Sequence, residues 1–166
     1  MKKTTFLLVF ILACNFVVAQ NYFIKFEGID GESNNNTRRG WSDVESFNQE
    51  LGSNLSITAI TRTRGATSLG KTISIVKKID KSSPKIMEAL TMGRIIPLVE
   101  IEISISDNVI YKYELRNVAV TKYNVTGEEL NLPSEEITIR FEQQRVIYTE
   151  YDNVGKPKGS IETEYN

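Results

Sequence analysis

The chain has 166 residues, a formal net charge of −1 at pH 7, no histidine, one cysteine and one tryptophan. Without histidine it can form neither a histidine-based catalytic triad nor a histidine-ligated zinc site. It also lacks the excess of positive charge that would neutralise phosphates, which argues against nucleic acid as a partner.

The first 20 residues have the pattern of an export signal. Lys2 and Lys3 form a basic start, residues 6–13 are an apolar run, and Ala19 is a small residue at its end. We therefore predict a signal peptide over residues 1–19 and one domain over residues 20–166. The apolar run is shorter than the roughly 20 residues of a membrane-spanning helix, so no stable membrane insertion is expected.

The single cysteine, Cys14, lies inside this leader. Residues 11–14 loosely resemble a lipoprotein cleavage site, which is the alternative to ordinary processing after Ala19. Cleavage after Ala19 would leave no disulfide, thiol nucleophile or thiolate metal site, and would place the protein outside the cell or in the periplasm.

Four segments of the first half have the composition or the alternation of β-strands, namely residues 22–27, 41–49, 55–61 and 72–79. Alternation in the second segment puts Ser42, Val44, Ser46 and Asn48 on one face and Phe47 on the other. Residues 28–40 are rich in Asn and Gly and predict a loop, and residues 62–71 predict a basic loop that contains glycine.

One short helix interrupts the strands at about residues 83–92. Ser83 is a good N-cap, Pro84 suits the first helical position, and Gly93 can close the helix in a left-handed conformation. The helix is predicted to flank or cap a sheet, because nearly everything else after residue 20 has a β pattern.

Three longer strands are predicted after the helix, at residues 95–106, 109–123 and 135–151. The first of them alternates Val, Ile and Glu in the manner of a half-buried strand. Residues 153–159 predict a turn before a polar tail. The predicted fold class is mainly β, a small antiparallel β-barrel or sandwich with one short flanking α-helix.

Two sequence patterns suggest nucleotide binding or acid–base catalysis, but neither has the sequence context that this chemistry requires. Residues 65–72 match the phosphate-binding pattern G-x-x-x-x-G-K-[ST], but β-branched residues follow where the pattern requires a helix. The acidic pairs Glu100/Glu102 and Glu135/Glu136 could supply an acid and a base, yet clean alternation makes them the solvated face of a strand. We expect no enzyme, with no catalytic, cofactor-binding or metal-binding residue.

The order of four segments resembles the haemolysin-coregulated protein (Hcp) family, the tube protein of bacterial type VI secretion systems. These segments are residues 22–33, 70–90, 111–127 and 133–151, and together they cover essentially the whole chain after the leader. The most specific piece is Ile-Asp-Lys-Ser-Ser-Pro at residues 79–84, immediately before the helix.

The resemblance implies a β-barrel that forms hexameric rings, which stack into a hollow tube and catalyse nothing. The implied partners are other copies of the chain, a spike protein, a sheath and small effector proteins carried in the lumen. By the same resemblance, Ser46 and Asn48 would face the lumen. The segment of residues 50–71 would reach a neighbouring subunit or ring, with Arg62, Arg64 and Lys71 as contact residues.

The leader conflicts with the resemblance, because tube proteins assemble in the cytoplasm and usually carry no cleavable signal. One interpretation is an exported derivative of the tube protein. The alternative is an extracellular or periplasmic binding or adhesion module on the same barrel, working as a monomer rather than as a secretion tube.

Overall fold

The computed structural model describes residues 20–53, 68–106, 108–127 and 129–165. The predicted signal peptide, the predicted strand at residues 55–61 and the predicted contact residues Arg62 and Arg64 lie outside this part. In the part described, no helix has the length and apolar character needed to cross a bilayer.

The described residues form nine strands and one helix, in agreement with the predicted mainly β class and its single short helix. In chain order they are β1 (Gln20–Phe26), β2 (Ser42–Val44), β3 (Ser46–Ser53), β4 (Ser68–Lys78), α1 (Ser83–Thr91), β5 (Ile96–Ile105), β6 (Asn108–Thr126), β7 (Ser134–Arg140), β8 (Gln143–Tyr151) and β9 (Pro157–Tyr165).

The strands pair in the order β2-β1-β5-β6-β7-β4-β3, with β8 added to β6 and β9 added to β8, and every pairing is antiparallel. This hydrogen-bonded path is not closed. Its two ends, β2 and β3, are nevertheless successive parts of one segment that meet at Glu45, whose backbone N–H donates to Val76 O at 2.7 Å. The chain therefore wraps round its core like a barrel without a closed ladder.

The change of partner at Glu45 corrects the prediction of one strand over residues 41–49. Strand β2 pairs with β1, whereas β3 pairs with β4. Ser42 and Val44 are consequently buried, while Ser46 and Asn48 are exposed. The four side chains do not share a face, because the backbone turns from one half of the sheet into the other at this residue.

Strand β6 is the longest element, with 19 residues, and it belongs to both halves of the sheet. Its first part pairs with β8 and its second part with β7. The predicted strand at residues 135–151 is thus divided, since β7 ends at Arg140 and β8 begins at Gln143. Opposite this break, Asn117 adopts a positive φ of 53°, and the sheet changes direction there.

The core is enclosed between the two halves of the sheet. Inward side chains of β4 and β7 are fully buried, including Ile73, Ile75, Ile137 and Ile139. Helix α1 packs over β6 and contributes Ile86 and Ala89 to the same core. Burying a side chain of this size stabilises the fold by roughly 1.5–3 kcal/mol.

Local chemistry fixes both ends of α1. Ser82 takes the N-cap position, one residue before the prediction, and Pro84 lies in the first turn. Gly93 has φ +62°, and the backbone N–H of Arg94 donates to Ala89 O at 2.9 Å. This is the left-handed helix end that Gly93 predicts, because glycine adopts positive φ without steric cost.

The polar tail forms a strand that the sequence analysis missed. Strand β9 pairs along its length with β8, and together they make a hairpin at the end of the sheet. Nearly all β9 residues are exposed. A strand that does not enter the core has no apolar alternation, which is why the sequence pattern gave no signal.

Candidate functional site

A buried charge cluster lies between the end of β4, the start of α1 and the start of β7. We define it as Lys77, Asp80, Tyr123 and Glu135. The Lys77 ammonium lies 2.7 Å from Glu135 Oε1 and 2.7 Å from Asp80 Oδ1. The side chains of Lys77 and Glu135 are fully buried, and the two residues lie opposite each other in the β4–β7 ladder. Two acidic groups therefore surround one cation away from water.

Asp80 connects this cluster to three other parts of the chain. Its carboxylate accepts hydrogen bonds from Ser42 Oγ at 2.6 Å, from Ser82 Oγ at 2.5 Å and from the backbone N–H of Glu32 at 3.3 Å. Burial raises the pKa of Asp80, but the hydrogen bonds from Lys77, Ser42 and Ser82 outweigh it and lower the pKa from 3.8 to about 2. The ionised Asp80 side chain thus holds together the loop at Glu32, strand β2 at Ser42 and the start of α1 at Ser82.

The same residues give the Ile-Asp-Lys-Ser-Ser-Pro segment its structural meaning. Asp80 N–H donates to Ser83 Oγ at 3.0 Å, and Ser82 N–H donates to Asp80 Oδ1 at 2.8 Å. Short polar side chains favour such local turns over continued strand or helix. The segment therefore ends β4, starts α1 and builds the buried cluster.

The prediction that Glu135 belongs to a solvated strand face is wrong, because its side chain is fully buried against Lys77. Tyr123 was not singled out from the sequence. Tyr123 donates its hydroxyl to Glu135 Oε2, and burial together with this bond raises the pKa of the Tyr123 phenol. Strand alternation was a usable signal, since Glu135 shares its parity with the buried Ile137 and Ile139, and Lys77 shares that of Ile73 and Ile75.

The predicted lumen residues belong to a polar outer surface that we name the hydroxyl face. It consists of Ser46, Asn48, Ser74 and Thr138, on the adjacent strands β3, β4 and β7. Asn48, Ser74 and Thr138 lie in one row of the sheet, and the Ser74 and Thr138 hydroxyls are 3.0 Å apart. Ser46 and Asn48 are exposed. The four members are neutral, and strand alternation places the charged Glu136 and Arg140 of β7 on the same side of the sheet, where Glu136 pairs with Lys122 at 2.9 Å.

Lys71, the described member of the predicted contact loop, lies in strand β4 rather than in a loop. Its ammonium donates to Glu142 O at 3.0 Å. It lines an open cleft of about 400 Å³ at the point where the sheet changes direction. There, Asn117 Nδ2 donates to Glu142 Oε2 at 2.7 Å. Within the described residues, Lys71 thus holds its own chain at this corner.

The position of Lys71 in a strand also shows which structure follows the phosphate-binding pattern of residues 65–72. Residues 68–72 of that pattern are part of β4, and the strand continues to Lys78. No helix begins after the Gly-Lys-Thr sequence, so the backbone N–H groups and the dipole of a helix N-terminus are missing there. The prediction that a strand rather than a helix follows this pattern is confirmed.

Glu100, one member of the acidic pair on β5, belongs to a largely half-buried network of ion pairs that we name the charge ladder. Its members lie on four adjacent strands and alternate in sign; they are Glu100, Lys112, Glu114, Arg145 and Glu162. Lys112 lies 2.7 Å from Glu100, and Arg145 lies 2.6 Å from Glu162. Glu102 instead forms an ion pair with Arg38 at 2.5 Å. The Arg38 guanidinium also stacks on the Phe23 ring. Both acids are paired, and the prediction of a solvated face is wrong for Glu102, whose side chain is only 11% exposed.

The described part of the chain thus presents two polar surfaces and one buried charge cluster. The hydroxyl face is polar and the charge ladder consists of paired charges, while the buried charge cluster ties Glu32 and Ser42 to the start of α1. Such an arrangement suits contacts with other macromolecules, because its exposed groups can form hydrogen bonds and ion pairs over a wide area.

Comparisons with known proteins agree on one family. Residues 23–148 match the family described as "Type VI secretion system effector, Hcp". No curated protein matches the chain. A solved structure described as a type six secretion system protein is 26% identical, covers 86% of this chain and 92% of its own, and has a TM-score of 0.73.

Two further solved structures have the same fold. A type VI secretion system effector from Yersinia pestis is 22% identical, with 87% of this chain and 98% of that chain covered and a TM-score of 0.71. Hcp1 from Salmonella typhimurium is 20% identical, with 89% and 95% covered and a TM-score of 0.72. At these identities the likeness bears on the fold alone.

Proposed function

The chain belongs to the Hcp family of type VI secretion system proteins, a family of structural tube components, and on this basis we propose that it assembles as a hexameric ring whose copies stack into a hollow tube. The observation that carries the proposal is the family match over residues 23–148, which runs from within β1 to within β8. In this role the protein acts by shape and association and catalyses no reaction.

We further propose that the protein is an exported form of the tube component. Support comes from the leader, whose basic start, apolar run and small residue at Ala19 suit cleavage by a signal peptidase. Processing at Cys14 is the competing possibility. The mature protein would then assemble in the periplasm or outside the cell, instead of in the cytoplasm with a sheath.

The hydroxyl face is the surface we assign to the lumen of the ring. Ser46 and Asn48 are exposed at its edge, and their hydroxyl and amide groups can bind passenger proteins by hydrogen bonds. Small effector proteins are the cargo that this assignment implies. Lys71 and the neighbouring Arg62 and Arg64 remain the proposed contacts to a neighbouring subunit or ring.

Fractionation of the producing cells, followed by sizing and electron microscopy of the purified protein, tests the proposal. We expect a mass consistent with cleavage after Ala19, a hexamer by light scattering, and six-fold rings in the images. A monomer at high protein concentration would contradict ring formation. Full-length protein confined to the cytoplasm would contradict export but leave the tube role intact.

The same images test the lumen assignment. In a Cys14→Ser background, a gold particle coupled to Asn48→Cys should appear at the centre of the ring. The matched control is Lys85→Cys on the exposed side of α1, where the particle should lie outside the ring wall. Gold outside the wall for both variants would exclude Asn48 from the lumen.

A further inference from the structure

The open cleft of about 400 Å³ at the corner of the sheet lies where strand β7 ends. The last residue of β7, Arg140, pairs with Thr72 of β4 and with Ala119 of β6. Strand β4 begins at Ser68, so its residues 68–71 have no partner in β7 among the described strand pairings. The chain then continues as β8, which pairs with the first part of β6. The end of β7 therefore leaves a gap between β4 and β6.

The lining of this cleft combines positive charge with apolar surface. It contains two cations, an amide, a carboxylate and two large apolar side chains, which are Lys71, Arg140, Asn117, Glu142, Ile95 and Phe141. Ligand sites in proteins have volumes of this order, and they typically join apolar walls to a few polar groups that fix the orientation of the ligand. The cleft is therefore suited to a ligand with one polar end and one apolar part.

The carboxylate of the cleft is already hydrogen-bonded, whereas its cations keep free donors. Glu142 Oε2 accepts a hydrogen bond from Asn117 Nδ2 at 2.7 Å. Lys71 Nζ uses one of its three N–H groups to reach Glu142 O. The Arg140 guanidinium is exposed and takes part in none of the ion pairs of the described residues. With two cations and one carboxylate, the cleft favours an anionic group.

We propose that this cleft binds the C-terminus of a partner protein whose last residue is apolar. The terminal carboxylate pairs with Arg140 and Lys71, because the planar guanidinium matches the two oxygens of a carboxylate. The last side chain packs on Ile95 and Phe141. The edge of β4 at residues 68–71 offers backbone groups to an extended peptide, which favours a peptide over a free carboxylic acid. The inference goes beyond the proposed ring and applies to a single subunit as well as to an assembly.

Fluorescence anisotropy with a labelled peptide tests the carboxylate and the apolar residue separately. The probe is Gly-Ser-Gly-Ser-Val-Leu with a free C-terminal carboxylate, titrated with the purified protein. We expect saturable binding that weakens at least tenfold when the peptide ends in an amide, because the amide removes the charge that the cations recognise. Replacing the last Leu of the peptide by Ser should also weaken binding.

Substitutions in the protein locate the site. Arg140→Ala should weaken binding of the peptide at least tenfold, whereas Lys85→Ala, at an exposed cation of α1, should leave it unchanged. Arg140 is the better test position, because Lys71 is also a proposed contact to a neighbouring subunit. Ile95→Ser should weaken binding, and Met92→Ser is its control, since these two side chains are 52% and 77% exposed. Circular dichroism verifies that each variant keeps its fold.

Three results would overturn the inference. The first is equal binding of the peptide acid and the peptide amide, or binding that Arg140→Ala does not change. The second is displacement of the labelled peptide by an equal concentration of hexanoate, which would make the ligand a free carboxylic acid. The third is absence of binding at about 1 mM peptide, which is already a weak affinity. Because sizing measures ring formation separately, each of these results leaves the proposed ring untouched.

Discussion

The buried charge cluster and the charge ladder contain ion pairs of similar length in different surroundings. The Lys77–Glu135 pair of the cluster is 2.7 Å long and its side chains are fully buried. The Arg145–Glu162 pair of the ladder is 2.6 Å long, but its side chains are 39% and 47% exposed. Distance alone would rank the two pairs as equal.

Solvation makes the difference between them. Water already stabilises the exposed charges of Arg145 and Glu162, so their pairing adds little to stability. Inside the protein, each charge depends on its partner, because removing one partner leaves the other charge buried without compensation. The cluster should therefore govern whether the barrel folds, while the ladder should respond mainly to salt and to the charge of a partner surface.

The largest expected effect comes from breaking the cluster. Glu135→Ala leaves the Lys77 ammonium buried with Asp80 as its remaining ionic partner, and it also removes the acceptor of the Tyr123 hydroxyl. We expect the free energy of unfolding to fall by about 3–5 kcal/mol. Urea denaturation at fixed protein concentration measures this, since assembly adds to apparent stability.

The neighbouring residue is a matched control for this change. Glu136 is on the other face of β7 and pairs with Lys122 at 2.9 Å, where both side chains are substantially exposed. Glu136→Ala should lower the free energy of unfolding by about 1 kcal/mol or less. Equal losses for the two variants would show that burial does not distinguish these pairs.

Asp80 should give an intermediate effect that depends on pH. Its pKa is lowered from 3.8 to about 2 in the folded state, so its contribution is complete above about pH 4 and is lost as the pH falls toward 2. Asp80→Asn should cost about 2 kcal/mol at pH 7, because charge-assisted hydrogen bonds are lost. The variant should also lose part of the acid slope, measured by denaturation between pH 2 and 7.

Glu164→Gln is the control for that pH dependence, since Glu164 is an exposed residue of β9. It should retain the acid slope of the unsubstituted protein. An Asp80→Asn variant with the same slope as the unsubstituted protein would mean that other carboxylates produce the acid sensitivity.

Strand alternation contained a signal for the burial of Lys77 and Glu135, although the sequence analysis predicted Glu135 to be solvated. Lys77 follows Ile73 and Ile75 at a spacing of two, and Glu135 precedes Ile137 in the same way. What the sequence could not provide is the register that puts Lys77 opposite Glu135, because register depends on how β4 and β7 pair in three dimensions.

Two other features show the limits of periodicity. The segment through Glu45 keeps a weak alternation although the chain changes partner strands there, so the division into β2 and β3 could not be predicted. Helix α1 was predicted almost to its bounds, because Pro84 and Gly93 act locally and need no tertiary context.

The smallest expected effect belongs to the ladder and is tested by salt. Arg145 pairs with Glu162 and Glu114, and these bonds raise the pKa of its guanidinium. Arg145→Gln should lower the urea midpoint slightly at low ionic strength. The difference should disappear near 1 M salt, where the screening length is only about 3 Å.

Arg38→Gln is the matched comparison on the same side of the sheet. Arg38 and Glu102 are only 14% and 11% exposed, and the Arg38 guanidinium lies over the Phe23 ring at 5.5 Å. The stability lost in Arg38→Gln should therefore still be lost at 1 M salt, because an ion pair shielded from solvent is screened much less. If salt removes both differences equally, exposure does not explain the contrast between the ladder and the buried pairs.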